Sequence, residues 1–144
     1  MRTRTSSRPA LEYQRMQVET ASPAQLIVML YDGALRFATF AKERMASGDL
    51  EARHTYLMKA QRIVTELLAI LDMENGGAVA QNLRSLYAYI LKQLVEANLY
   101  DDAARIDEAL GMLRELREAW AQVADHGIPP NQAPSAPRKV AIGG

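Results

Sequence analysis

Apolar residues recur at helical spacing through four successive stretches of this chain, and the breaks between those stretches are short. The pattern covers about residues 23–47, 50–73, 78–98 and 102–126, and no period-two alternation marks a strand. The breaks hold residues that end and restart helices. Gly48 is a C′ glycine followed by the N-cap Asp49, and Asn75-Gly76-Gly77 supplies positive-φ positions. Asn98 suits a left-handed exit, with Asp101 and Asp102 as N-cap and first-turn carboxylates for the next helix. Gly127-Ile128-Pro129-Pro130 closes the last. Long amphipathic helices on short links point to an all-α fold, an antiparallel up-down four-helix bundle with a short N-terminal cap segment. The 144 residues fit one domain.

The first helix has the best-defined start. Ser22 is the N-cap, Pro23 occupies the first helical position and Gln25 completes a capping box. Leu26, Leu30, Ala34, Phe37 and Ala41 line one face, flanked by Ile27, Tyr31, Ala38 and Met45. Val28, Met29, Leu35 and Phe40 point away from it, so roughly two-thirds of the circumference is apolar, more than a surface helix of a small bundle needs. The second helix has a face of Tyr56, Ala60, Ile63, Val64, Leu67 and Leu71, with Met58, Leu68 and Ile70 off it. The third has Val79, Leu83, Leu86, Tyr87, Ile90, Leu94 and Ala97, with Tyr89, Leu91 and Val95 off it. The fourth carries a single stripe, Ile106, Ala109, Leu110, Leu113, Leu116, Trp120 and Val123, with charged residues elsewhere, and reads as a packing helix.

Residues 1–8 are polar and read as a disordered tail, as does the Pro-, Ala- and Ser-rich stretch 128–144. Between the first tail and the first helix, residues 9–19 interleave Leu11, Tyr13, Met16 and Val18 with polar residues. Such a segment is too short to persist as a lone helix and must dock on the bundle or move. We treat 9–127 as one unit, with 9–19 as its cap.

Composition removes several functions. Lys plus Arg equals Asp plus Glu at 17 each, so no net field favours nucleic acid or an anionic membrane, and the N-terminal arginines read as a solvated tail. There is no cysteine for a disulfide, a thiolate site or a nucleophile. The longest apolar run, Leu26 to Tyr31, falls far short of the ~20 residues of a membrane span, and no secretory signal is visible; a cytoplasmic protein without stable membrane association is expected. Glu51 and His54 form one Glu-x-x-His pair, but a di-iron bundle needs two, and His126 has Val123 three residues before it. Phosphate loops and nucleophile elbows are absent too, so we expect no enzyme, no metal and no cofactor.

A binding module remains. The surplus apolar residues suit a groove for an amphipathic partner segment, and Met16, Met29 and Met58 are the adaptable side chains such a groove uses. The competing accounts are that the bundle buries these residues itself, or that they form a self-association interface of a structural or oligomerisation module.

Tyr13-Gln-Arg-Met-Gln-Val18-Glu-Thr20-Ala21-Ser22-Pro23, with Leu26-Ile-Val-Met-Leu30-Tyr31-Asp32-Gly33-Ala34, resembles the flagellar export chaperone family FliS. Leu57-Met-Lys59-Ala60, Asn82-Leu83-Arg-Ser-Leu86-Tyr87, Leu94-Val-Glu96-Ala97-Asn98 and Arg117-Glu-Ala119-Trp120 follow in the family's order, so that the likeness covers about residues 13–121. The resemblance implies a non-enzymatic cytoplasmic chaperone that binds the C-terminal segment of flagellin, prevents premature polymerisation and assists delivery to the flagellar type III export gate. It implies a movable cap that also docks on the export-gate protein, in which Tyr13 and Val18 match the family's residues, and Met16 is a candidate in the same segment. Joined to the surplus surface, it makes Val28, Met29, Leu35, Phe40, Met58, Leu68, Ile70, Tyr89, Leu91 and Val95 the candidates for client contact, on a monomer that binds one client. The Arg-rich extension before Tyr13 and the tail after Gly127 depart from the family's pattern.

Overall fold

The structure, a computed structural model, describes residues 12, 15 and 21–126. Helix α1 spans Pro23–Ala46, α2 Leu50–Ala69, α3 Gly77–Tyr100 and α4 Ala103–His126. Each packs against two others, α1 and α3 both lying on α2 and α4, so that the four close into a ring with α1 diagonal to α3. Short links between consecutive neighbours give the up-down antiparallel order. The tails and the cap segment 9–19 lie outside the described residues, apart from an exposed ion pair of 2.9 Å between Glu12 and Arg15.

The helix ends follow from local chemistry. The Gln25 N–H donates to Ser22 Oγ at 3.1 Å and the Ser22 N–H donates to Gln25 Oε1 at 2.7 Å, a reciprocal box that satisfies two amides with no partner inside the helix. Gly48, at φ +79°, turns the chain out of α1, and Asp49 accepts from the Ala52 N–H at 3.1 Å to start α2. Helix α2 stops at Ala69, short of the expected residue 73, and Leu71 in the link remains buried. At Gly76 a Cβ would come within 2.5 Å of the Asp72 carbonyl oxygen, so this turn tolerates no side chain.

Asn98 does not make the left-handed exit expected of it. It remains inside α3 and its Oδ1 accepts from Arg53 Nε at 3.1 Å, while Asp101, at φ +54°, turns the chain. Asp102 then accepts from the Ala104 N–H at 3.0 Å. The exit moves because the Asn98 side chain is held in the α2–α3 seam, and Asp101 is the next residue tolerant of that conformation.

The core face of α1 is rotated by about one residue from the expected one. Ile27, Tyr31, Ala34, Ala38 and Ala41 are buried at its centre, whereas Leu26 is 37% exposed and Leu30 and Phe37 are half-buried at the side. Small residues at the centre let the neighbouring helices come close, and a Cβ at Gly33 would already lie 2.9 Å from Ile63 Cδ1 of α2. On α2 the buried positions are Leu57, Ala60, Val64 and Leu67, with Tyr56 and Ile63 displaced to the flank. On α3, Ala80 is buried instead of Val79, and Leu86 is 38% exposed. The α4 stripe is buried throughout except for half-buried Leu116. Across the ring diagonal, the Tyr31 and Tyr87 hydroxyls hydrogen-bond at 2.5 Å in the middle of this core.

Candidate functional site

Two side-chain contacts fix which sides of α2 and α3 face each other: Asn98 accepts from Arg53, and its Nδ2 lies 2.7 Å from His54 Nδ1. Met58 follows His54 by one helical turn, and Val95 and Leu91 precede Asn98 by one and two turns on the antiparallel helix, so all three border this seam. Leu68 lies farther along the same side of α2. Leu68 and Leu91 are half-buried and pack on the core. Met58 and Val95, at 37% and 46%, are exposed. The arrangement is a seam with a packed apolar floor and an apolar rim, which can accept an aliphatic side chain from outside.

A second feature lies where the start of α1 meets the end of α4. Val28 and Met29 face Ala121 and Ala124 across an open cleft of about 430 Å3, with Gln25 and Arg117 at its polar edge. Arg117 is anchored there. Its Nε donates to Asp32 Oδ1 at 2.7 Å, and that bond holds the guanidinium pKa above the usual arginine value against the opposing effect of burial. Leu35, also off the expected face of α1, packs on the core.

Phe40 belongs to a third place, the α1–α2 seam. Its ring meets Tyr56 edge-on at 5.2 Å, and Tyr56 stacks on Phe37 at 6.1 Å. Ile70 is the C-cap residue of α2 and packs half-buried against the core.

Tyr89, 38% exposed, lies on the α3–α4 seam, where its hydroxyl donates to Glu108 Oε2 at 2.8 Å. Glu108 Oε1 accepts from Nε2 of the buried Gln93 at 2.7 Å. The hydrogen bond to Glu108, then desolvation and the Glu108 charge, raise the Tyr89 pKa above that of an ordinary tyrosine. The neutral phenol is therefore the favoured form in the folded protein. Its contribution to stability is complete below the ordinary tyrosine range and is lost as pH climbs through the raised value. In alkaline titration, the tyrosinate absorbance of wild type minus that of Tyr89→Phe is expected to rise at higher pH than a free tyrosine, and Glu108→Gln should shift that difference curve downward.

The structure thus distributes eight of the ten client-contact candidates over the four seams of the ring and leaves Leu35 and Ile70 packed on the core. It does not bring them into one groove. Tyr13, Met16 and Val18 lie outside the described residues. Glu51 and His54 are exposed, and among the described residues no group of three or more potential ligands is placed to hold a metal ion. No helix among them is long and apolar enough to cross a membrane. Exposed Leu50, Leu99 and Tyr100, at 56%, 68% and 62%, were not singled out by periodicity because they sit at helix ends, where the stripe gives no guide. All three lie at the end of the bundle that holds the α1–α2 and α3–α4 turns.

Comparison with known proteins gives a consistent answer. The family described as "Flagellar protein FliS" matches residues 6–127. The "Flagellar secretion chaperone FliS" of Salmonella typhimurium is 44% identical over 108 residues, covering 74% of this chain and 80% of the relative. The protein of that description from Campylobacter jejuni is 39% identical over 111 residues, 77% of this chain and 87% of the relative. That from Bacillus subtilis is 33% identical over 114 residues, 79% of this chain and 84% of the relative.

Proposed function

Because this chain belongs to the FliS family of flagellar secretion chaperones, a family of chaperones and not of enzymes, we propose that its client is the C-terminal segment of flagellin. The chaperone would hold that segment in the cytoplasm, prevent premature polymerisation and assist delivery to the export gate. The observation that supports this most is the distribution of apolar side chains over three seams of the ring, with Met58 and Val95 as an exposed rim on α2–α3. A flat or single-groove binder needs one patch. A client that is disordered when free and folds on binding loses conformational entropy, and a path around the bundle gives it enough apolar contact to offset that loss. Co-purification with flagellin lacking its C-terminal segment tests the assignment: binding is expected to vanish, and undiminished retention would overturn it.

In the same reading, Tyr13, Met16 and Val18 form part of a displaceable cap that also serves export-gate docking. Deleting residues 1–19 is expected to leave the helical content intact, raise the fluorescence of an apolar dye and change client affinity. Unchanged dye binding and affinity would remove the cap from the mechanism. The rival, a self-associating structural module, draws support from the exposed Leu50, Leu99 and Tyr100 at one end. Sedimentation without client separates the two, since the chaperone reading predicts a monomer and the rival a concentration-dependent oligomer.

A further inference from the structure

We propose that the outer face of the α1–α2 pair is a docking site for an acidic protein segment, a role beyond the flagellin-binding reading. Several cations on the bundle are paired, Lys42 with Asp107 at 2.6 Å, Arg53 with Asp101 at 2.7 Å, Arg105 with Glu96 at 2.5 Å and Arg117 with Asp32 at 2.7 Å, while exposed Arg44, Arg84 and Arg114 have no ion pair among the described residues. What sets the α1–α2 face apart is that its cations are held by rings. Among the described residues no carboxylate lies within ion-pair distance of the exposed Arg36 or Lys59. Both cations rest instead on aromatic rings. Lys59 Nζ lies 5.4 Å from the centre of Phe37 and 5.9 Å from that of Tyr56, and the Arg36 guanidinium lies 5.4 Å from Phe37.

A ring holds a cation in place without neutralising it. The face therefore presents positioned positive charge around a half-buried floor of Phe37, Phe40 and Tyr56. A carboxylate that arrives there forms its ion pair next to apolar surface, where attraction is screened less than in open water. The complementary occupant carries glutamate or aspartate on either side of an aliphatic side chain: the acids meet Arg36 and Lys59, and the aliphatic group covers the rings. Since the chain as a whole has equal numbers of acidic and basic residues, the attraction is local to this face.

Fluorescence anisotropy with the full-length protein tests this, using a labelled helical peptide of glutamate, alanine and leucine and its analogue with every glutamate replaced by glutamine. Neither contains flagellin sequence, so the outcome does not depend on the client assignment. The glutamate peptide is expected to bind about tenfold more tightly than the analogue, as two or more partly exposed ion pairs supply. The double substitution Arg36→Gln and Lys59→Gln should weaken it by a similar factor. Arg84→Gln with Arg114→Gln, exposed cations on α3 and α4, should leave its Kd within about twofold, the scatter expected of uncoupled surface sites. Equal binding of the two peptides, no binding of either, or equal weakening by both pairs of substitutions overturns the proposal. So does concentration-dependent self-association lost only in the Arg36→Gln and Lys59→Gln protein, which would make a second copy the occupant.

Discussion

Trp120→Ala is expected to lower the free energy of unfolding by about 3–5 kcal/mol, the range for truncating a large buried aromatic side chain. Trp120 is 1% exposed and belongs to the continuous core between the four helices, so no surface loop can move in to fill the space it leaves. Against a total stability of about 5–15 kcal/mol for a domain of this kind, the loss is a large fraction of the whole. Urea unfolding monitored by circular dichroism reads it as a lowered midpoint at unchanged slope. Trp120→Phe supplies the contrast. The indole Nε1 hydrogen is buried with no hydrogen-bond partner among the described residues. Burying a donor without a partner costs about 1–3 kcal/mol, so removing it offsets part of the packing lost with the smaller ring. The phenylalanine variant is therefore expected to remain much nearer wild type than the alanine variant. Equal losses in the two would show that the N–H is satisfied in solution.

The second large effect concerns the client. Met58→Glu together with Val95→Glu is expected to weaken binding of a flagellin C-terminal peptide by at least tenfold, a change of about 1.4 kcal/mol or more. Both side chains are exposed, and glutamate is a good helix former, so stability should change by only about 0.5 kcal/mol per site. Covering the seam with an apolar client would strip water from two carboxylates, which is costly even where Arg62 or Lys92, one helical turn away, pairs with them. Gln122→Glu, on the exposed side of α4, should leave affinity unchanged. Calorimetric titration of the three proteins decides it: wild-type affinity in the double variant would remove the α2–α3 seam from the client's path.

Legibility differed from helix to helix for a physical reason. Helix α4 has apolar residues on one narrow stripe only, so its moment has one direction, and Ile106, Ala109, Leu110, Leu113, Trp120 and Val123 are buried as the spacing requires. Helix α1 is apolar over most of its circumference. A helical period then gives no unique centre, and the choice between Leu26–Leu30–Phe37 and Ile27–Tyr31–Ala38 depends on how closely α2 and α4 approach. Close approach selects the small residues and displaces Leu26 and Phe37 to the flank, where Phe37 joins Phe40 and Tyr56. Exposed Leu99 and Tyr100 carry no periodic signal for a related reason, since they belong to the last turn before Asp101.

By itself the sequence determined the helical class, the Gly48–Asp49 link and the capping box at Ser22, because each depends on interactions among residues a few positions apart. The ordered motifs from Tyr13 to Trp120 also sufficed to place the chain in its family. What only the tertiary structure decided is how the surplus apolar residues are shared out. Met58, Leu68, Leu91 and Val95 border one seam, Val28 and Met29 a cleft on another, Phe40 an aromatic cluster on a third, and Tyr89 a polar network on the fourth. A side chain's neighbours across a seam are set by the rotation and register of two packed helices. Neither quantity is encoded in the period of either helix alone.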